Sequence, residues 1–174
     1  MIDKISLERL ERLHPKIRKE VIKMYREQVI PALTGGVYCR ITHTLRTFQE
    51  QDELYKLGRE KLFDEDGKRI GIVTNAKGGQ SYHNFCLAVD ICIMSSRTAT
   101  WDQAVDLDKD GKPDWWEVIA IFKENGWEAG ADWKGKLRDF PHFQKTFGYT
   151  TKQLLEKWNS GDTFIDNGIK YVNL

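Results

Sequence analysis

Two of the four histidines stand in company that could do chemistry. His83 follows a Gly-Gly turn and a short polar run and opens the apolar stretch Asn84–Met94. Inside that stretch, between Val89 and Ile91, stands a single carboxylate, Asp90. An acid in an apolar run has to be ion-paired, hydrogen-bonded or metal-bound, because burying it alone costs several kcal/mol. The second histidine, His142, lies in Asp139-Phe140-Pro141-His142-Phe143-Gln144. Pro141 holds the backbone extended there, so Asp139 and His142 can approach one centre. Two imidazoles and a carboxylate are a donor set that leaves a zinc ion one open position for water. Two hydrogen-bonded histidines and a core aspartate capping a turn would read the same way, and spacing alone leaves both open. The gap of seven residues from His83 to Asp90 has odd parity, so one straight strand would put them on opposite faces. The chain must bend near Asn84-Phe85 for both to reach one metal.

A second group of metal-ligating residues lies at Asp106, Asp108, Asp110, Asp114 and Glu117, with Gly111 among them. This is the D-x-D-x-D-G-x5-E pattern of an oxygen-only calcium loop, in which the glycine makes the turn. Pro113 stands where an aliphatic residue is usual, so the loop is EF-hand-like at most. From Asp102 to Glu117 six acids face two lysines, a local charge of −4 that repels itself without a cation. A solvated acidic loop at the N-terminus of a helix from Asp114 is the competing reading. Calcium here would brace the loop and helix and take no part in catalysis.

The elements that must position these residues follow from periodicity. Leu7, Leu10, Leu13, Ile17, Val21, Met24 and Tyr25 recur at helical spacing, with Pro15 opening a second helix and Pro31 near its end. VYCRITHTL alternates as a strand. Thr47–Leu57 reads as a helix with Thr47 and Glu50 at capping-box spacing, and Gly58 as its stop. Residues 60–80 read as an exposed loop with a turn at Asp66-Gly67, Asn84–Met94 as the clearest strand, residues 114–125 as an amphipathic helix closed by Gly126, and Thr151–Trp158 as a last helix. Helices around a few strands without a βαβ rhythm predict an α+β fold, a small antiparallel sheet flanked by helices. All six tryptophans follow residue 100, four of them between Trp115 and Trp133, which suits a core layer or the aromatic wall of a cleft.

With 174 residues the chain suffices for one domain, taken as 1–174, with no separate binding domain expected. Lys and Arg number 27 against 26 Asp and Glu, which argues against a nucleic-acid binder with a broad basic footprint. No apolar run reaches the roughly 18 residues of a membrane-spanning helix, so no membrane insertion is expected. The first twenty residues carry charges every few positions and no apolar core, so no secretory signal is expected. Cys39, Cys86 and Cys92 are few, odd in number and without a Cys-x-x-Cys pair, and read as small buried hydrophobes in a reducing compartment.

Four ordered motifs carry a resemblance to a known family. Ser81-x-His83 with Ala88-Val89-Asp90, then Asp139-x-Pro141-His142-Phe143, resembles the zinc peptidases that cut peptidoglycan stem peptides. That family holds D-alanyl-D-alanine carboxypeptidases and dipeptidases and the L-alanyl-D-glutamate endopeptidases used as phage endolysins. Thr44-Leu45-Arg46-Thr47-Phe48-x-Glu50-Gln51-x-x-Leu54-Tyr55 and Val73–Ser81 are similar to its segments ahead of the metal motif, and Asp132-Trp133 adds a further match. The resemblance spans roughly residues 37–150. It implies a zinc site of the Hedgehog/D,D-peptidase kind, with His83, Asp90 and His142 as ligands and Asp139 as general base. It implies Arg46 as the holder of a substrate carbonyl or carboxylate; a surface pair with Glu50 is the plainer reading of that arginine. Ser81 and Gln51 are expected at the substrate wall or in support of it, and His43 in the core or at the rim.

The carboxypeptidase branch generally carries Glu-x-x-His at the last motif, whereas Asp139-x-x-His142 followed by Phe-Gln looks like the endopeptidase branch. Cys86 stands where glycine is usual, and Glu128-Ala129-Gly130-Ala131 replaces a common Trp-Gly-Gly run. The function implied is hydrolysis of the L-Ala-D-Glu bond by a monomeric phage or prophage endolysin, held in the cytoplasm until it is released to the wall. The alternatives are a D-alanyl-D-alanine carboxypeptidase and a non-catalytic calcium- or zinc-binding module.

Overall fold

The computed structural model describes residues 2–135 and 138–174. Its chain divides into two compact units, residues 1–44 with 87–145, and residues 45–86 with 146–174.

The first unit holds the sheet. It opens with helix α1 (Lys4–Leu10) and helix α2 (Pro15–Met24), the latter capped by His14, whose Nδ1 accepts from Lys16 N at 3.2 Å. Proline at the first position suits α2, where the missing N–H has no intrahelical acceptor in any case. The long helix then widens into a π turn at Tyr25–Val29 before the short α3 (Ile30–Ala32), which contains Pro31. A proline ring crowds the carbonyl four residues back, and the wider turn just ahead of Pro31 relieves that crowding.

Strands β1 (Val37–His43), β2 (Ala88–Ser95), β3 (Thr98–Thr100), β4 (Glu128–Ala129) and β5 (His142–Gln144) form an antiparallel sheet in the order β1-β2-β5-β4, with β3 pairing the end of β2. The fold is α+β. Strand β1 alternates as its sequence predicts, with Val37, Cys39 and Ile41 buried. It lies at an edge of the sheet, and the helices satisfy its outer backbone groups. Ile41 N donates to Ser6 Oγ (2.9 Å), Arg9 donates to Ile41 O (2.6 Å), and the Tyr25 hydroxyl donates to Cys39 O (2.6 Å). An edge covered in this way offers no template for another strand. The other edge, β4, is two residues long.

Helix α5 (Asp114–Glu124) closes the core with Trp115, Val118, Ile119 and Phe122, all 0–2% exposed. Phe122 stacks on Phe143 of β5 at 4.2 Å and meets Trp127 edge-on at 5.5 Å. Each fully buried ring of this kind stabilises by roughly 1.5–3 kcal/mol. The tryptophans therefore divide: Trp115 and Trp127 are core, whereas Trp101 and Trp116 are exposed.

The second unit holds α4 (Phe48–Lys56), a 3-10 turn at Tyr82–Phe85, α6 (Thr151–Ser160) and a hairpin of β6 (Thr163–Asp166) and β7 (Ile169–Val172). Both bonds of the expected Thr47/Glu50 capping box are present, and Thr150 with Gln153 makes a second one on α6. Phe48, Phe85 and Trp158 pack together, at centroid distances of 5.1–6.4 Å. Residues 60–80 run without helix or strand, and Asp64 Oδ1 accepts from Asp66 N and Lys68 N to form the turn around Gly67. The C-terminal hairpin is not foreseen from periodicity, although Asn167-Gly168, both at positive φ, is the dipeptide of a tight two-residue turn. Among the described residues no helix is long and apolar enough to cross a membrane.

Candidate metal centre

The strand expected from Asn84 begins four residues later, at Ala88, because residues 82–85 form the 3-10 turn. Cys86 follows the turn at φ +59°, a left-handed conformation that a glycine would adopt without strain. The reversal that the His83–Asp90 parity demands is therefore present, and the residue that completes it is the cysteine found where glycine is usual.

The turn is built by Ser81 and Asn84. Ser81 Oγ accepts from His83 N (3.4 Å). Asn84 is buried at 3% exposure, and its amide is fully used. Its Oδ1 accepts from Gly79 N (2.9 Å) and Ser81 N (3.2 Å), while Nδ2 donates to Arg46 O (2.9 Å) and Thr47 O (3.3 Å). Arg46 N in turn donates to His83 O at 3.1 Å. One side chain thus ties the Gly-Gly turn, the His83 turn and the start of α4 together. Asn84 escapes sequence reading because a lone asparagine ahead of a strand carries no periodic signal.

Arg46 is half-buried and donates to Gln51 Oε1 at 3.0 Å, and Glu50 caps Thr47. Gln51 is fully buried, and its Nε2 donates to Ala76 O at 2.8 Å. Gln51 therefore orients Arg46 and presents no face of its own to solvent. Ser81, similarly, is first a cap for the turn that carries His83.

Asp90 and His142 are cross-strand partners in the β2–β5 ladder. His142 is 8% exposed, and its Nδ1 lies 3.1 Å from Asp90 Oδ1. Its Nε2 lies 3.0 Å from Gln144 Oε1, and Gln144 Nε2 donates to Glu128 Oε2 at 2.9 Å. These bonds fix the ring's orientation. A carboxylate can only accept, so the Gln144 amide nitrogen must face Glu128 and its oxygen must face the imidazole. Nε2 then carries a hydrogen and donates it to Gln144 Oε1, and Nδ1 is the nitrogen that faces Asp90. Such an outer donor chain is what holds a metal-binding imidazole in orientation. Trp133 flanks the same ring at a centroid distance of 5.2 Å. Burial alone would make His142 harder to protonate, but Asp90, Gln144 and the charge of Asp139 outweigh it and raise its pKa above the ordinary value. The sequence marks Gln144 only as part of the branch motif and Glu128 only as a departure from the family run, and marks neither as an orienting residue. Glu128 stands in the run that departs from the family pattern, and here it orients Gln144.

Asp139 is exposed, and its backbone is pinned at both groups. Its N–H donates to Gly130 O at 3.0 Å and its carbonyl accepts from His142 N at 3.2 Å. A Cβ at Gly130 would come within 2.3 Å of Asp139 O, so this close approach requires glycine. His43, at the end of β1 beyond a bulge, is exposed and lies at the rim.

His83, Asp90 and His142 are, by type, a donor set of the kind that holds a metal ion. Tetrahedral zinc with bonds of about 2.0–2.2 Å sets its ligand atoms about 3.4 Å apart, and the Asp90–His142 pair already stands close to that spacing. Two imidazoles and a carboxylate, with one imidazole's Nδ1 facing the carboxylate, fit a zinc ion.

Comparison with known proteins gives three likenesses. Residues 74–145 match the family described as D-alanyl-D-alanine carboxypeptidase. The chain is 39% identical over 133 residues to the peptidoglycan L-alanyl-D-glutamate endopeptidase CwlK of Bacillus subtilis (strain 168), covering 76% of this chain and 72% of the relative. The crystal structure of the Serratia marcescens L-Ala D-Glu endopeptidase ChiX shares the fold with a TM-score of 0.54, at 20% identity, over 84% of this chain and 90% of that one.

Proposed function

The chain belongs to the zinc peptidase family of CwlK, and we propose that it hydrolyses the L-Ala-D-Glu bond of peptidoglycan stem peptides. The observation that carries this reading is the Asp90–His142 pair, with Nδ1 held toward the carboxylate by Gln144 and Glu128. His83, Asp90 and His142 would hold the zinc. When bound, zinc supplies a Lewis acid that polarises the scissile carbonyl and makes a water molecule acidic near neutral pH.

The chain's own residues do the rest. Asp139, with an exposed carboxylate on a pinned backbone, takes a proton from the attacking water and returns it to the departing amine. Arg46, oriented by Gln51, offers its guanidinium fork to a substrate carboxylate or to the developing oxyanion. Calcium in the acidic loop would serve the fold and not this reaction, because none of the loop's carboxylates belongs to the His83–Asp90–His142 set.

A phage or prophage endolysin is the setting that Asp139-x-x-His142-Phe143-Gln144 favours, with a monomer acting on the wall after the membrane is breached. Its test is lysis of producing cells only once the membrane is permeabilised.

The reaction is tested by counting metals in the purified protein, digesting peptidoglycan and identifying the new termini by mass spectrometry. One zinc per His83–Asp90–His142 set and new N-terminal D-Glu ends are expected, both lost in His142→Ala. Release of terminal D-alanine would move the chain to the carboxypeptidase branch, and an inert zinc-loaded protein would refute the assignment.

A further inference from the structure

The acidic loop ahead of α5 holds a feature that the peptidase reaction does not use. Asp106, Asp108 and Asp114 each have an oxygen within 4.8 Å of the others, and so do Asp108, Asp110 and Glu117. Asp108 is common to both groups, so the five carboxylates form one cluster. The loop wraps its own backbone around them. Lys109 N and Gly111 N donate to the two oxygens of Asp106 (2.7 and 2.9 Å), and Lys112 N donates to Asp110 Oδ1 (2.9 Å). Thr34 donates to Asp108 Oδ2 from its backbone (2.8 Å) and its hydroxyl (3.2 Å).

Carboxylates gathered on a surface loop are common without an ion, and turn geometry does not distinguish the cases. Two buried oxygens do. Asp114 is 0% exposed; its Oδ2 accepts from Leu107 N at 2.9 Å, but its Oδ1 is sealed from solvent without any hydrogen-bond partner. Glu117 Oε2, one turn further along α5, is sealed and unpartnered in the same way. The lysine nearest Glu117, Lys112, reaches only its other oxygen, at 3.8 Å, from a side chain that is 70% exposed. Two dry, donorless oxygens facing three further carboxylates are costly unless a cation fills the gap.

We propose that residues 106–117 bind a single calcium ion through Asp106, Asp108, Asp110, Asp114 and Glu117, with Asp114 Oδ1 and Glu117 Oε2 among its ligands. An all-oxygen, carboxylate-rich cage suits calcium, whereas magnesium keeps several of its waters and prefers fewer protein ligands. Pro113 has no N–H with which to join a second such loop, so the site works alone. The ion ties the first turn of α5 to the Thr34 turn. It thereby steadies the helix whose Phe122 stacks on Phe143, the neighbour of His142. This inference does not depend on the peptidase reading.

The test uses the full-length, zinc-loaded protein after passage over a calcium-chelating resin, with zinc content checked before and after. Calorimetric titration with calcium chloride should show one site per chain. At a hundredfold excess over Kd, calcium should raise Tm by roughly 5–10 °C. Asp110→Asn, an exposed position that does not threaten folding, should weaken binding at least tenfold with unchanged zinc content. Glu117→Gln should abolish the calcium-dependent rise and raise the Tm of the calcium-free protein, since it removes an uncompensated charge. Absence of binding heat and of any Tm shift at 10-millimolar-scale calcium would overturn the proposal. An equal shift with magnesium at the same concentration would overturn the choice of ion. Neither result bears on wall hydrolysis, so failure here and failure of the peptidase assignment are separable.

Discussion

Gly130→Ala is a one-carbon test of how Asp139 is positioned. The added Cβ would stand 2.3 Å from Asp139 O and 3.2 Å from both its carbonyl carbon and its Cβ. Carbon–oxygen contacts below about 3 Å are not sustained, so the carbonyl must retreat by about 1 Å. The same carbonyl accepts from His142 N, and Asp139 N donates to Gly130 O, so the shift is felt at both ends of the 139–142 turn. A displacement of about 1 Å in a group that moves a proton lowers turnover on the order of a hundredfold, or about 2.7 kcal/mol in the barrier. Overpacking should cost a further 1–3 kcal/mol of stability, roughly 2–10 °C in Tm. Steady-state hydrolysis of a purified muropeptide, zinc content and Tm are measured together on the same preparation. Gly71→Ala is the control, because a Cβ there meets nothing within 4 Å and the glycine needs no positive φ. A Gly130→Ala enzyme that holds its zinc and hydrolyses at the native rate would refute the reasoning: either the contact does not place Asp139, or Asp139 does not carry the proton.

Three further outcomes are expected. Gln144→Ala frees the His142 ring and should weaken zinc binding about 10–100-fold, read by competition with a chromophoric chelator; native affinity would dismiss the Glu128–Gln144–His142 chain. Asn84→Ala leaves four backbone groups without their shared partner and should cost about 2–4 kcal/mol in urea unfolding, a larger loss than any exposed polar residue would give. Asp3 is 8% exposed; burial would raise its pKa, but hydrogen bonds from Arg40 and Ser6 outweigh this and lower it. Its stabilisation is thus present above the unfolded pKa of about 3.9 and lost as pH falls through the folded value, so Asp3→Asn should be less stable at pH 7 by about 1–3 kcal/mol, a difference that should shrink as the pH falls through that value.

What could be read from sequence was whatever local chemistry writes in a short window. The Thr47/Glu50 box, the helix from Asp114 and the alternation of β1 each depend on residues within a turn or two, and each is present. The bend after His83 was legible for a subtler reason: parity forbids a straight strand from bringing His83 and Asp90 to one metal. The starting point of β2 was not, because apolar Phe85 and Cys86 suit a buried 3-10 turn as well as a strand. The π turn depends on Pro31 acting backward along the helix. Glu128, Gln144 and Asn84 act through partners that only tertiary structure supplies, so their orienting roles are not written in type or spacing. Gln51 reads as a wall residue or a support for one, and its complete burial makes it a support for Arg46.

Asp90 and His142 face each other from neighbouring strands, so the distance between their backbones is set by the ladder itself. Inter-strand spacing is a property of the peptide unit and is the same whatever side chains surround it. Over long divergence, helices can repack, loops can change length and most of the surface can be rewritten without altering that separation. A lineage built on this arrangement inherits half of its metal cradle as main-chain geometry, and selection has to guard only the two side chains and whatever turns their rings and oxygens inward.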